Sequence, residues 1–160
     1  MSLAAILDAT DWKILRELQR DGRITNVELA ARVGLSPPPC LRRLQALEKS
    51  GAISSYRAVL DGSALGFGVQ IFAMVGLRSQ AGPELAAFEA KVALWPLVRE
   101  AYAVSGETDF LLKCVGSDLG ALQDFIIGDL AAAPNVENVK TTLILRVSKY
   151  EPGEIGRAHV

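Results

Sequence analysis

The run TNVELAARVGLSPPPCLRRLQALEKSGAISSY, Thr25 to Tyr56, carries two helix starts with one glycine between them. No other feature narrows the fold as much. Thr25 and Glu28 have capping-box spacing, which starts a helix at Asn26. Val27, Ala30 and Val33 predict its apolar stripe. Gly34 permits the left-handed corner that a sharp interhelical turn needs. Ser36 suits an N-cap, and Pro37 suits the first helical position, where no N–H is required. In the second helix Cys40, Leu44 and Leu47 face inward, Arg42, Arg43 and Gln45 fall on outer or flanking faces, and Gly51 ends it. Ile53–Leu60 reads as a strand in the position of a wing. Such a helix-turn-helix head sets its second helix into the major groove of double-stranded DNA.

Upstream, Asp8 and Asp11 cap and charge a first helix, with Trp12, Leu15 and Leu18 inward and Ile14 alongside; Asp21-Gly22 ends it. Residues 1–60 are therefore a winged helix-turn-helix domain, and the turn-rich 61–66 a linker. Residues 67–152 alternate strand and helix signals. Val69–Leu77 is β-rich, and Pro83–Leu94 is helical with Leu85, Phe88, Val92 and Trp95 inward. Val98–Val104 and Phe110–Val115 flank Ser105-Gly106-Glu107-Thr108-Asp109. Asp118 opens a helix bearing Leu119, Leu122, Phe125, Ile126 and Leu130, and Val136–Tyr150 contains the last strand. The order βαββαβ predicts a ferredoxin-like sandwich, making the whole chain α+β. Residues 153–160 are a tail; Met1–Leu3 and Gly156–Val160 fit no pattern and read as additions to the natural protein.

Strand alternation adds a constraint. Val69, Ile71, Ala73, Val75 and Leu77 point one way, Phe72 and Met74 the other. Phe110, Leu112 and Cys114 likewise oppose Leu111 and Val115, and Leu143, Leu145 and Val147 oppose Ile144. Two helices cover one face of such a sheet, so the second apolar face calls for another cover, most simply a second subunit.

Charge supports the division of labour. Up to Leu60 nine basic residues stand against six acidic ones, leaving +3, whereas the remaining eight basic and twelve acidic residues leave −4. Only the front half is suited to phosphates. Cys40 and Cys114 sit in apolar positions and read as buried free thiols of a reducing cytoplasm. With His159 the sole histidine, neither a metal site nor a hydrolytic triad is expected, and no catalytic residue or cofactor is assigned. Gly66-Phe67-Gly68 lacks dinucleotide or P-loop spacing, and no apolar run is long enough for a membrane span.

On the recognition helix, Arg42 is expected to reach a guanine edge or a phosphate, and Ser36 a phosphate oxygen. Pro38 and Pro39 have no N–H and offer only apolar contact, for example to a thymine methyl. Gln45 shares the outer face. Arg43 has two readings, a DNA contact or an ion pair with Glu48 or an earlier acid. Ser105–Asp109 also has two. It is a plain hairpin turn, or a site for a small zwitterion whose carboxylate meets backbone amides and Thr108 and whose ammonium meets Asp109 or Glu107.

Together, LDATDWKILRELQRDGRITNVELAARVGLSPPPCLRRLQALEKSGAISSY and SGETDFLLK closely resemble the Lrp/AsnC family of bacterial and archaeal regulators, from about Leu7 to Pro152. The resemblance implies an N-terminal winged helix-turn-helix and a C-terminal ferredoxin-like effector domain. It further implies dimers packed sheet to sheet that assemble into tetramers, octamers or larger rings. An amino-acid effector would bind between dimers at Gly106, Glu107, Thr108 and Asp109, with Leu119, Thr141, Thr142 and Leu143 completing the pocket. Leu119 and Leu143 would suit an aliphatic side chain, in keeping with the leucine-responsive branch. Three successive prolines before Cys40 depart from the usual family pattern. Two alternatives accompany this reading. One is the haem-biosynthesis decarboxylases, which resemble these regulators in fold but use histidines. The other is a local regulator, or a stand-alone sensor, that lacks one of the two functions.

Overall fold

The computed structural model describes residues 6–151, Gly153 and Ile155; Met1–Leu3, the end from Gly156 and His159 lie outside the described residues. The chain divides into two compact units. The head comprises the described residues up to Val59 together with those from Lys149 onward, and the second unit runs from Leu60 to Ser148.

The head has three helices: α1 (Ala9–Arg20), α2 (Asn26–Val33) and α3 (Pro37–Lys49). Both predicted starts are capped reciprocally. The Asp8 carboxylate accepts from the Thr10 and Asp11 amides while Asp11 accepts from the Asp8 N–H. Thr25 Oγ1 accepts from the Glu28 amide and Glu28 from the Thr25 N–H, satisfying amides that a helix start leaves unpaired. Gly34 takes φ 76°, the left-handed corner between α2 and α3.

Ile14, Leu29, Ala30, Val33, Cys40 and Leu47 form the head core. Two details differ from the sequence pattern. Val27 is 65% exposed, because the buried sector of α2 is centred on Leu29, Ala30 and Val33 and Val27 projects beyond its edge. In α1, Ile14 is the fully buried centre, and Leu15 and Leu18 pack partly buried beside it.

Ile53–Leu60 forms no strand, which corrects the expected wing. A strand needs a hydrogen-bonding neighbour, and every ladder among the described residues belongs to the second unit. Tyr56 is held by its side chain instead, its hydroxyl donating to Glu48 at 2.9 Å. The chain end also departs from the expected tail. Gln19 donates from Nε2 to the Ile155 carbonyl at 2.8 Å and accepts from the Ile155 N–H at 2.9 Å, which fastens this segment to α1.

The second unit runs β1 (Val69–Leu77), α4 (Gly82–Val92), β2 (Val98–Ala103), β3 (Phe110–Gly116), α5 (Leu119–Phe125) and β4 (Val136–Leu143). A π-helical turn, Ile126–Leu130, extends α5. The sheet order is β2-β3-β1-β4 with every pair antiparallel, the ferredoxin-like arrangement. Ile71, Ala73, Val75, Leu77, Phe110, Leu112 and Cys114 pack with Phe88, Val92, Leu122, Phe125 and Leu130 from the helices. Trp95 stands edge-on to both Phe88 and Phe125, joining the two helical segments over the sheet. β4 stops at Leu143, so Leu145 and Val147 are exposed outside the strand. Leu143 pairs with Ile71, and Ile144 donates a last bond to the Gln70 carbonyl.

Two head carboxylates contribute to its response to acid. The Asp11 amide, then the Arg43 guanidinium, hold the Asp8 carboxyl below its ordinary value. The Thr25 hydroxyl, then its amide, do the same for Glu28. Their stabilisation is complete at neutral pH, above the unfolded values near about 4, and is lost as pH falls through the lower folded values. Circular-dichroism melts of the full chain should therefore show the head losing stability below about pH 4. Asp8→Asn, which keeps a capping oxygen but not the charge, should make that fall shallower.

Candidate DNA interface and effector site

The outer sector of α3 is set by what the inner one buries. Cys40 and Leu47 are buried and Leu44 packs against the core, which leaves Pro38, Leu41, Arg42 and Gln45 exposed together at helical spacing. Leu41 was not singled out in the sequence. It is 42% exposed despite being apolar, and a helical projection alone places it with Pro38 and Gln45. Arg42 takes part in none of the ion pairs among the described residues.

Arg43 is committed elsewhere. Its Nη1 lies 2.7 Å from both Asp8 Oδ2 and Asp11 Oδ1, bracing α3 against the start of α1. An earlier acid is thus its partner, not Glu48, which accepts from Tyr56. Ser36 occupies the N-cap of α3 with extended backbone, yet its side chain makes no capping bond. The expected cap fails because an N-cap oxygen needs the amide of the second or third helical residue, and here these are Pro38 and Pro39. Asn26 contributes instead from α2, its Nδ2 donating to the Pro37 carbonyl at 2.9 Å.

The effector residues fall into two groups. Gly106, Glu107, Thr108 and Asp109 form the β2–β3 turn, where Gly106 takes φ 135°, a conformation open to glycine. Glu107 is exposed and Thr108 half-buried. Asp109 is tied into the sheet: its Oδ2 accepts from the Leu77 amide at 2.6 Å, its Oδ1 from Gln80 Nε2 at 2.8 Å, and its N–H donates to the Val75 carbonyl. These partners, far away in the sequence, were not foreseen.

The second group runs from the middle of the sheet toward its other end. Phe110, next to the turn, pairs with Val75, whereas Leu143 pairs with Ile71 and Thr141 with Ala73. From Val75 to Ile71 the strand runs about 13 Å. Leu119 follows Gly116, which pairs with Val69, so it too belongs to the Ile71 end. Thr141 and Leu143 share the helix-bearing face, and Thr142, paired with Phe72, lies on the opposite one. One protomer does not bring all eight residues together.

That opposite face carries half-buried Phe72, Met74, Leu111 and Val115, with exposed Tyr102. Glu100 sits among them, accepting from Lys113 Nζ at 2.8 Å and from the Tyr102 hydroxyl at 2.6 Å. Lys113 first, then Tyr102, hold its carboxyl below the ordinary range.

Comparison with known proteins agrees with this geometry. Residues 7–54 match the winged helix-turn-helix DNA-binding model, and residues 70–154 match the Lrp/AsnC ligand binding domain. The chain belongs to the Lrp/AsnC family. It is 59% identical to a leucine-responsive regulatory protein of Rhizobium meliloti, over 89% of this chain and 92% of the relative. It is 39% identical to the Bkd operon transcriptional regulator of Pseudomonas aeruginosa, over 89% and 93%. Among solved structures, a Neisseria meningitidis transcriptional regulator in complex with L-Met superposes with a TM-score of 0.91 at 38% identity, covering 96% of this chain and 99% of that one. The protein is thus a DNA-binding transcriptional regulator of the Lrp/AsnC type with a ligand-binding domain. No helix among the described residues is long and apolar enough to cross a membrane.

The neighbouring arginines of this Lrp/AsnC head should behave oppositely. Arg42→Ala should weaken retardation of promoter DNA about tenfold or more, with the melting temperature unchanged. Arg43→Ala should lower the melting temperature of the head. In the second unit, Asp109→Ala should destabilise by about 2 kcal/mol in urea titrations made without any effector, because it leaves the Leu77 amide unpaired.

Proposed function

We propose that this regulator responds to an amino acid bound between dimers, and that its DNA affinity follows from how assembly spaces the heads. The observation supporting this reading is the separation of the turn from Leu119 and Leu143 along one sheet. A pocket using both needs the turn of one copy and the Leu119–Leu143 end of another. The turn suits the charged part of the ligand. Amides around Gly106 and the Thr108 hydroxyl receive a carboxylate, and exposed Glu107 receives the ammonium, since Asp109 already serves Leu77 and Gln80. Leu119 and Leu143, both exposed, offer an aliphatic lining for the side chain. The L-Met complex of the Neisseria relative supports an amino acid as the class of ligand.

Dimers form by packing the Phe72, Met74, Leu111 and Val115 faces of two sheets together, and dimers join into tetramers or octamers. Operator DNA and the effector are the partners, and the role is regulatory and cytoplasmic rather than enzymatic; the named relatives are likewise called regulators. Effector binding at the seam between dimers then biases assembly, which couples it to DNA through quaternary structure.

Mixed assemblies test the composite site. Gly106→Val spoils the turn and Leu143→Asp spoils the apolar end. Each variant alone should give no calorimetric signal with the amino acid that shifts the melting of the wild type. Unfolded together and refolded as a mixture, they should recover about a quarter of the sites, because some sites then draw both intact halves from different copies. Absence of recovery from a properly assembled mixture would refute the composite site.

A further inference from the structure

The start of α3 is unusual for a helix aimed at DNA. A helix start ordinarily leaves four amides unpaired, and these form a ready anion site. Here Pro37, Pro38 and Pro39 occupy the first three helical positions and carry no N–H, and the first helical amide, that of Cys40, is bonded to the Ser36 carbonyl at 3.3 Å. A phosphate laid against this end would meet pyrrolidine rings rather than a row of donors. What the end does present is apolar: exposed Pro38 and, one turn on, exposed Leu41. Arg42, in none of the ion pairs among the described residues, is exposed one turn beyond Pro38, and at this spacing the two are neighbours on the helix surface. The cationic side chain thus borders the apolar surface, so the two can meet neighbouring base edges.

We propose that Pro38 and Leu41 form an apolar reading surface for the 5-methyl group of a thymine adjacent to the guanine that Arg42 recognises. The thymine methyl is the one apolar group that base edges show in the major groove, while guanine O6 and N7 accept from a guanidinium. Phosphate affinity lost at the helix start is thereby replaced by contact with a particular base step. The assignment rests on the DNA-reading role of the head and adds to it the base class that α3 selects.

The test uses duplexes enriched from a random pool by the full-length wild-type chain, with affinities measured by fluorescence anisotropy at one fixed salt concentration. Each thymine is replaced in turn by deoxyuridine, which removes only the methyl. The wild type should lose about fourfold in affinity at one thymine per half-site, the worth of one buried methyl-sized group. A guanine should flank that thymine. Leu41→Ala should bind thymine and deoxyuridine duplexes equally while keeping its preference for the guanine. Pro38→Ser, a change at an exposed position, should reduce the methyl preference independently, and Arg42→Ala should lose the guanine preference and keep that for the methyl. Tolerance of every deoxyuridine by the wild type overturns the assignment, as does an undiminished methyl preference in folded Leu41→Ala and Pro38→Ser. Failure to enrich any sequence removes sequence-specific reading itself, and the assignment with it.

Discussion

A four-stranded sheet has two faces, and in this chain α4 and α5 cover only one of them. The covered face is closed by Val75, Leu112 and Cys114 beneath Phe88, Leu122 and Phe125. Alternation along the same strands places Phe72, Met74, Leu111 and Val115 on the other, because a residue cannot change face without shifting the register of its whole strand. The Glu100–Lys113 pair and the Tyr102 hydroxyl lie among these apolar groups. A surface of that composition is suited to a second copy: its apolar centre supplies the association energy, and its polar groups satisfy one another. A twofold pairing of such faces would in turn fix where each protomer directs the two ends of its sheet.

That direction matters because the proposed effector residues lie apart along the sheet. Antiparallel pairing carries β3 away from the turn at Asp109, so that its far end, Gly116, pairs with Val69 and feeds α5. Leu143 is thereby set about 13 Å along β1 from the level of Phe110, with Thr141 between the two. A pocket drawing on both groups would be completed by a second copy of the chain. An effector bound there has different affinities for assembled and unassembled states, which is the condition for it to shift one toward the other. The Asp109 contacts with Leu77 and Gln80 tie the turn to β1, so a ligand contact at Thr108 would meet a fixed frame.

How much of this was legible in the sequence depended on range. Asp8 with Asp11 and Thr25 with Glu28 are interactions within one helical turn, and both were readable from spacing. The strand faces and the inward helix residues of the second unit followed from periodicity in the same way. Interactions that join distant segments were not readable: Asp109 with Leu77 and Gln80, Gln19 with Ile155, and the choice of Asp8 and Asp11 over Glu48 for Arg43. Two local readings failed for physical reasons. Ser36 is a good N-cap residue whose target amides are absent, and Ile53–Leu60 has strand composition without a strand beside it. In both cases composition described one partner of an interaction, while structure depended on the other.

The prolines of α3 bear on how strongly a single head can hold DNA. Removing amides from a helix start weakens the phosphate contacts that supply most sequence-independent affinity. Arg43 adds little to that term, since Asp8 and Asp11 already balance its charge. A head that met the groove with Arg42 and a short apolar surface would favour discrimination over strength. Weak heads become effective when several act on one DNA molecule, because the second contact is then made at high local concentration. The gain depends on spacing, and spacing depends on how sheets and dimers meet. A single strong head would hold its operator whatever the state of assembly; a weak one makes assembly, and whatever small molecule adjusts it, the quantity that decides occupancy.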